Sequence, residues 1–591
     1  LFDTFLPGQM PISCINRNVG FAFVEPGFAA AKGRPKWAIP WMEDDPAMII
    51  PQLWVGRMRR DAADALAYGC TGLIGIHWRT RILGPNVSAL AHAAWDQTTW
   101  NPHLGKTVEP ADARQLEGRR GGAVATFPNN PIADTQDGPL YQTVVYNLDG
   151  YQVKVPDGTY TVRLRFCEPH YSDKAKRVFG IRVQGRRVVE QLDVFEQVGK
   201  NRALDYTFEG IEVTDRMLRI DFVPVVELPC IAAFEIKSDR FSRKINCGGP
   251  AYEDYEADMP DVQTDTRPRD LPTEDFYADW AATQFGCGAA AEIGAIFSRL
   301  DGGPSVGMSG QRTANLPRPS TWVGGPGGIQ PDERPWKEVS EEYRFVEELA
   351  AFRPRVKGPG NLERFDHWLN NFRYLRAIGR LNCIWAQFND AMEQVAATRG
   401  DDEKSRLARK LALPVRKELV AQFETVQHYL LETVATTGAM GNVMNWQQHL
   451  MPDLLTKPGR QLAEALGEEL PADARPGRRY RGEMRIIVPT PRGSLRTGED
   501  MQLTVMVPGQ GRLIDLGLYF RPLGHGQYKR MPFAHVARSV YRATIPANVI
   551  GRSDFEYYIK AKQRSGRQCV FPATAPELNR TVVLINGKQV Q

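Results

Sequence analysis

Three consecutive carboxylates, Glu43, Asp44 and Asp45, follow a short apolar run that begins at Trp37. Glycoside hydrolysis uses two carboxyl groups, one protonated to assist the leaving group and one ionised to attack the sugar or to activate water. The sequence therefore predicts Glu43, Asp44 and Asp45 as candidate catalytic acids, with Asp44 or Asp45 as an alternative binder of a substrate hydroxyl group. The alternative is a set of acids that stabilise the start of a helix or form ion pairs, because acids are favoured at helix N-termini.

A second polar cluster follows the next apolar run, Gly72–Ile76, about thirty residues later. Its aromatic side chains can form the floor of a sugar subsite, and its arginines can hold a carboxylate or sulfate of an acidic sugar. The alternative is that these arginines pair with the acids at the neighbouring strand end. The residues assigned to substrate binding here are Trp41, His77, Trp78, Arg79 and Arg81.

These clusters need strands that end side by side. Apolar runs at 11–15, 37–41 and 72–77 predict strands, and apolar residues at helical spacing over 55–68 predict a helix between the last two. This order implies parallel strands with a right-handed crossover. In (β/α)8 barrels the chemistry lies where strands end. We therefore predict that residues 1–119 are the C-terminal part of such a barrel, whose remaining strands and second carboxylate lie upstream of Leu1.

The composition of the chain argues against several kinds of partner and ligand. The chain has 591 residues, enough for several domains, and its 74 basic and 69 acidic side chains are nearly balanced, so no nucleic acid partner is predicted. No apolar run reaches about 18 residues, so no membrane span is predicted. The eight cysteines form no C-x-x-C pair, so no metal site and no cofactor are predicted. The sequence does not determine an oligomeric state.

Residues 120–243 change to the two-residue alternation of β-strands, for example in Tyr160–Phe166 and Val178–Val183. The stretches YQVKVPDGTYTVRLRFCEPHYSDKAKRVFGIRVQGRRVV and LRIDFVPVVELPCIAAFEI resemble the malectin family of carbohydrate-binding β-sandwiches. The resemblance implies a sugar site at Tyr141, Tyr146, His170 and Tyr171, and the alternative is a sandwich that serves as a spacer or clamp.

Two features depart from the malectin pattern. His170 stands where the family usually has the first of two adjacent aromatic residues. Residues 244–252, KINCGGPAY, resemble the segment that usually opens such a domain, although they follow its body here. Either this segment is a permuted first strand, or the likeness is accidental.

The remaining chain is predicted as a helical domain over 244–475 and an Ig-like β-sandwich over 476–591. A long Pro- and Gly-rich loop over 301–335 interrupts the helices, and its Arg318 and Trp322 are assigned to ligand binding, with a surface connector as the alternative. The segments AAWD and WNP near residue 100 resemble the barrel end of exo-acting glycoside hydrolases, including α-glucuronidase and hexosaminidase-like groups. In one large clan of barrel glycosidases a nucleophilic Glu ends the seventh strand and a Trp ends the eighth, and resemblance to that clan implies Glu43 as the nucleophile and Trp78 as the Trp.

The predicted fold class is a multidomain protein that combines α/β, all-β and all-α parts. The predicted function is a secreted glycoside hydrolase acting on a polysaccharide or glycan, with an acidic or sulfated substrate among the options. Cell-surface and periplasmic locations also fit. The alternative function is a non-catalytic carbohydrate-binding or cell-surface protein with a degenerate barrel. A second carboxyl group within about 5–10 Å of Glu43 would favour the enzyme.

Overall fold

The computed structural model describes residues 6–17, 20, 22–43, 50–79, 81–104, 115–262, 267–302, 315–321, 328–477, 480 and 482–585. The chain divides into two compact units. The smaller unit comprises the described residues from 103 to 268, and the larger unit comprises those before 103 and after 268. Within these residues, no helix combines the length and the apolar character needed to cross a bilayer.

The larger unit begins with a three-stranded parallel sheet and two helices. They are β1 (Ile12–Ile15), β2 (Lys36–Ile39), α1 (Val55–Ala67), β3 (Gly72–Leu73) and α2 (Gly84–Trp95), with strand order β1-β2-β3. The parallel strand–helix–strand order agrees with the prediction. Three described strands do not close a barrel, so the (β/α)8 barrel remains a prediction.

The smaller unit is a two-sheet β-sandwich around one apolar core. One sheet has the order β11-β5-β10-β7-β8 with β4 paired to β5, and the other has the order β13-β12-β6-β9. The elements are β4 (Gly118–Thr126), α3 (Gly138–Tyr141), β5 (Thr143–Lys154), β6 (Gly158–Phe166), β7 (Val178–Val183), β8 (Arg186–Leu192), α4 (Val194–Val198), β9 (Leu204–Val213), β10 (Met217–Val226), β11 (Cys230–Ile231), β12 (Ala233–Lys237) and β13 (Ser242–Asn246).

Strand β13 contains the start of the KINCGGPAY segment. It pairs antiparallel with β12 along its whole length, from Lys237 opposite Ser242 to Ala233 opposite Asn246. Ile245 and Cys247 are fully buried in the sandwich core. The segment is therefore an edge strand of the sandwich, which favours the permuted-strand alternative over an accidental likeness.

The larger unit continues as a helical region around a long central helix. Its elements are α5 (Glu274–Phe285), α6 (Ala290–Leu300), β14 (Ser320–Thr321), β15 (Gly328–Ile329), α7 (Trp336–Val339), α8 (Phe345–Phe352), α9 (Pro359–Ala397), α10 (Asp401–Leu407), α11 (Leu413–Thr433), α12 (Thr437–Asn445) and α13 (Lys457–Leu466). Short 3-10 turns lie at Pro26–Ala29, Arg81–Leu83, Cys287–Ala289, Ser340–Tyr343, Arg353–Arg355 and Ala472–Ala474, and π turns at Ala408–Ala412, Trp446–Leu450 and Pro452–Thr456.

The chain ends in a second two-sheet sandwich with its own core. One sheet has the order β16-β24-β22-β18-β19 with β23 paired to β22, and the other has the order β17-β21-β20. The elements are β16 (Ser494–Arg496), β17 (Met501–Met506), β18 (Leu513–Pro522), β19 (Lys529–Pro532), β20 (Ala534–Ala537), β21 (Val540–Ile545), α14 (Ala547–Ile550), β22 (Phe555–Gln563), β23 (Gln568–Phe571) and β24 (Arg580–Ile585).

Asp301, directly after α6, connects the helical region to the start of helix α1. Its carboxylate accepts the backbone N–H groups of Val55 at 2.7 Å and Gly56 at 3.0 Å, which are the first residues of α1. It also accepts the hydroxyl of Tyr277 at 2.6 Å. Because the first N–H groups of a helix have no partner within it, a buried carboxylate at this place satisfies donors that would otherwise be lost.

Asp301→Ala is expected to lower the free energy of unfolding by about 2–4 kcal/mol, because three buried donors lose their acceptor. Asp301→Asn keeps one acceptor oxygen and should lose less. Calorimetric unfolding of both variants beside the wild type tests the ranking. A transition of Asp301→Ala that coincides with that of the wild type would contradict the capping role.

Candidate functional site

Glu43 and Arg79 form a buried ion pair between the chain segments that leave β2 and β3. Oε2 of Glu43 accepts the Nε–H of Arg79 at 2.5 Å, and Oε1 accepts the backbone N–H groups of Trp78 and Arg79, both at 2.6 Å. Glu43 is 0% exposed and Arg79 is 4% exposed. The three hydrogen bonds to this buried carboxylate match the alternative in which an arginine pairs with an acid at the neighbouring strand end.

The two arginines of this cluster have different partners. Arg79 also donates from Nη1 to the carbonyl of Ile50 at 2.7 Å. Arg81 donates from both Nη atoms to the carboxylate of Glu363, near the start of α9, at 2.7 Å each. Only Arg79 therefore pairs with a described strand-end acid, while Arg81 connects this end of the sheet to the helical region.

The two tryptophans predicted to bind substrate lie together. The ring centroids of Trp41 and Trp78 are 5.2 Å apart, and the side chain of Trp78 is 42% exposed. His77 donates from Nδ1 to the carbonyl of Arg79 at 2.8 Å, and because a carbonyl only accepts, Nδ1 carries the proton. His77 and Trp78 are thus the exposed members of this cluster, and Glu43 holds the backbone of Trp78 in place.

The remaining residues predicted for this region are Arg318, Asp44, Asp45 and Trp322. Arg318 lies beside Leu53 and Trp54 in a small crevice. Asp44, Asp45 and Trp322 lie outside the described residues. The structure accordingly brings together Trp41, Glu43, His77, Trp78 and Arg79.

In the smaller unit, Glu168 and Arg177 support the turn that joins β6 to β7. Oε1 of Glu168 accepts the backbone N–H groups of His170 and Tyr171, each at 3.0 Å, and Oε2 accepts the Nε–H of Arg177 at 2.7 Å. Glu168 is 1% exposed and Arg177 is 8% exposed. Consecutive N–H groups that converge on one carboxylate hold the backbone of the turn in a single conformation.

This support presents two aromatic side chains at the surface. His170 is exposed and Tyr171 is half-buried. Their ring centroids are 4.7 Å apart with the planes at 80°, and the guanidinium carbon of Arg177 lies 5.1 Å from the centre of the Tyr171 ring. Lys200 donates to the carbonyl of His170 at 2.8 Å. The turn therefore carries an edge-to-face ring pair above a buried cation.

Tyr146 lies on β5 beside the same arginine. Burial raises the pKa of Tyr146, and the positive charge of Arg177 opposes that rise. Cys230 of β11 lies opposite Tyr146, and burial raises the pKa of the Cys230 thiol to about 12. Arg177 also donates to the carbonyl of Leu228, in the loop that leads to β11. Tyr146 and the aromatic turn thus share Arg177 as a common neighbour.

Tyr141 does not join this surface. It is 1% exposed and packs in a small cluster of buried side chains next to the main core. Its hydroxyl donates to Asp205 at 2.6 Å and accepts from Arg165 at 3.2 Å. Burial and the negative charge of Asp205 raise the pKa of Tyr141. Because a buried ring cannot stack on a sugar, we leave Tyr141 out of the candidate surface, which is defined as Tyr146, His170 and Tyr171.

Glu168 and Arg177 are the functional residues that the sequence analysis missed. A signal was present, since Glu168 stands two residues before the His170–Tyr171 pair and Arg177 directly precedes β7. Both are charged residues that a surface turn would normally expose. In the part of the chain that the structure describes, no group of three or more His, Cys, Asp or Glu side chains is placed to hold a metal ion.

A protein-family model described as "Malectin domain" matches residues 109–239. Malectin-B of Xenopus laevis is 39% identical over 95 residues, which cover 15% of this chain and 34% of the relative. Malectin of Homo sapiens is 37% identical over 95 residues, which cover 15% of this chain and 32% of the relative. The chain therefore spans about a third of the length of these curated relatives.

Two solved structures show partial likeness. Bacteroides uniformis beta-glucuronidase is 27% identical with a TM-score of 0.19, over 21% of this chain and 14% of that chain. The extracellular domain of ANXUR1 from Arabidopsis thaliana is 17% identical with a TM-score of 0.18, over 23% of this chain and 42% of that chain. At these TM-scores neither likeness assigns a role to a residue. The family match identifies residues 109–239 as a malectin domain, and the fold of this region is the two-sheet β-sandwich described above.

Proposed function

We propose that this chain binds carbohydrate at the candidate surface of its malectin domain, and that binding directs the remainder of the chain to a polysaccharide or glycan. One observation carries the proposal: the buried Glu168–Arg177 pair holds Tyr171 and His170 at the surface. An ion pair buried under an exposed turn is expensive to maintain. Its effect here is to fix two rings in place before any ligand arrives.

The chemistry of the surface suits a sugar. The C–H face of a pyranose packs on an aromatic ring, and its hydroxyl groups pair with nearby donors and acceptors. Tyr171 offers a ring, and Tyr146 offers a ring and a hydroxyl. His170 stands where the family has an aromatic residue, and its ring packs edge-to-face on Tyr171. The substitution therefore keeps a flat ring at this place and adds ring nitrogens that can bind a hydroxyl group.

Tyr171→Ala is expected to weaken binding of a neutral disaccharide by about 2 kcal/mol, or about 30-fold, because it removes a central aromatic contact. Titration calorimetry on the full chain with maltose, cellobiose and lactose identifies the probe that binds, and the variant is then measured with that probe. Tyr146→Ala should weaken the same binding.

The matched control is Phe241→Ala. Phe241 packs on Tyr160, near the opposite end of β6 from the aromatic turn. Its loss should affect stability but leave affinity unchanged. The proposal fails if none of the three disaccharides binds, or if both tyrosine variants bind as tightly as the wild type.

The second candidate function is glycoside hydrolysis. It is favoured by the exposed Trp78, which lies against Trp41 at the carboxyl end of a parallel sheet, where barrel enzymes bind substrate. In this proposal Glu43 is either the nucleophile or the group that positions Trp78 through the backbone. A secreted, periplasmic or cell-surface location belongs to the same proposal. Reducing-sugar release from a panel of plant and bacterial polysaccharides tests it, and Trp78→Ala should abolish any release observed.

A further inference from the structure

A cavity of about 700 Å³ lies within the larger unit, between the start of α9 and the C-terminal sandwich. Cavities of roughly 300–1,000 Å³ are typical of small-molecule sites. Trp280 and Trp368 line it from the helical region, and Phe571 lines it from the sandwich. The two indole rings pack edge-to-face with centroids 5.7 Å apart. Trp280 and Trp368 are only 7% and 4% exposed, so Phe571, which is half-buried, is the aromatic side chain of this lining that a sugar ring can reach.

The charged side chains that line this cavity are strongly biased to one sign. Among the described residues, four arginines line it against a single glutamate, Glu363. Glu363 is already bound by Arg81 in two hydrogen bonds of 2.7 Å. Arg485 donates to the carbonyl of Val434 at 3.1 Å, and its Nε lies 3.6 Å from Glu432. Two of the four arginines thus have acidic neighbours.

The other two arginines keep their charge available. Arg364 donates from Nε to the carbonyl of Gln284 at 2.8 Å and from Nη2 to the side chain of Asn361 at 2.6 Å, so neutral acceptors fix its guanidinium. The guanidinium carbon of Arg580 lies 5.4 Å from the centre of the Phe571 ring. Within the described ranges, neither arginine has a carboxylate partner. A guanidinium oriented by neutral groups matches the two oxygens of a carboxylate ligand.

His367 lies in the same wall of the cavity. It is 7% exposed, and its Nε2 lies 3.3 Å from the amide nitrogen of Asn371 on its own helix. Burial lowers the pKa of His367 well below its ordinary value, and the positive charges of Arg81 and Arg485 lower it further.

We propose that this cavity binds an acidic sugar residue, with the carboxylate of a uronic acid between Arg364 and Arg580 and the sugar ring beside Phe571. The site is distinct from the malectin surface in residues and in ligand charge. It would give the chain a second carbohydrate contact that selects for acidic glycans.

Calorimetric titration of the full chain with digalacturonic acid tests the proposal. Inorganic sulfate is one comparison probe, and maltose, measured on the Tyr171→Ala variant so that the malectin surface does not contribute, is the other. The acidic sugar should bind at least about tenfold more tightly than either, because it alone offers both charge and ring. Arg364→Gln should weaken it about tenfold or more, since a charge-assisted contact is lost. Arg580→Gln should act in the same direction, and because Arg580 is exposed this substitution does not threaten the fold.

The control is Arg380→Gln. Arg380 lies on the same helix, pairs with Glu418 at 3.2 Å, and is about 24 Å further along the axis. Tyr171→Ala should also leave this binding unchanged, which separates the cavity from the malectin surface. The proposal is overturned if digalacturonic acid does not bind, if sulfate binds the full chain as tightly or maltose binds the Tyr171→Ala variant as tightly, or if Arg580→Gln and a folded Arg364→Gln both keep full affinity.

Discussion

Glu43→Gln is expected to lower the free energy of unfolding of the larger unit by about 3–5 kcal/mol, because it removes one charge from a buried ion pair. The glutamine oxygen can still accept the N–H groups of Trp78 and Arg79. Its amide nitrogen, however, would face the Nε–H of Arg79, so two donors oppose each other in a site that is almost inaccessible to solvent. The guanidinium is then left buried without its anion.

Differential scanning calorimetry of the full chain measures this loss, and Glu403→Gln is the control. Glu403 pairs with Arg406 three residues later, and both side chains are about half exposed. Removal of such a surface pair changes stability by about 0–1 kcal/mol. Comparison of Glu43→Gln with Glu403→Gln isolates the effect of burial on stability, because both substitutions delete one carboxylate from an arginine pair in the same unit.

The same variant separates the two roles of Glu43. A nucleophile is dispensable for folding, so Glu43→Gln would then abolish hydrolysis of a cleaved polysaccharide while the unfolding transition stayed in place. If the ion pair instead positions Trp78, Glu43→Gln should lower the unfolding transition and displace Trp78. An unchanged transition would contradict the structural role derived from the three hydrogen bonds.

The local sequence pattern predicts the helix and strands around Glu43, but it does not predict the hydrogen-bond partners of Glu43. The helix over Val55–Ala67 and its flanking strands are visible as apolar spacing. Which acid meets which arginine depends on where each segment leaves the sheet. Ile76 donates to the carbonyl of Pro40, and Met42 donates to that of Ile76, both at 3.0 Å. That pairing, which residue types alone do not specify, places Glu43 against Trp78 and Arg79.

In the malectin domain, too, the sequence predicts the fold but not which residues are buried. Its motifs predicted the sandwich and pointed to His170 and Tyr171, of which His170 is exposed and Tyr171 is half-buried. They also implied Tyr141, whose ring is buried, because a motif aligns residues without indicating which face of the chain is covered. Glu168 was overlooked because an acid near a turn normally faces solvent. Burial and hydrogen-bond partners, which are set by tertiary packing, distinguish these cases.

Glu43 and Glu168 turn out to share one arrangement. In each, one carboxylate oxygen accepts two consecutive backbone N–H groups and the other accepts an arginine Nε–H. In each, the backbone that is held carries an aromatic side chain towards solvent, Trp78 or Tyr171. Two unrelated parts of the chain thus use a buried acid to fix an aromatic side chain, which is the property that a carbohydrate surface requires.

Glu168→Ala is therefore expected to act on both stability and binding. It leaves Arg177 buried without an anion, at about 3–5 kcal/mol of unfolding free energy, and frees the N–H groups of His170 and Tyr171. The aromatic turn then loses its fixed conformation. Affinity for the disaccharide that binds the wild type should fall by about 2 kcal/mol or more although no ligand-facing side chain is removed, because ordering the turn now opposes binding.

Calorimetric unfolding and titration of the same samples measure the two effects together. Glu190→Gln is the control, since Glu190 pairs with Arg187 at an exposed site of the same sandwich and should change neither quantity by more than about 1 kcal/mol. The double variant Glu168→Ala, Arg177→Met removes the unpaired charge, so it should regain part of the stability but not the affinity. If Glu168→Ala lowers stability and binds the disaccharide with wild-type affinity, the pair supports the fold without shaping the surface.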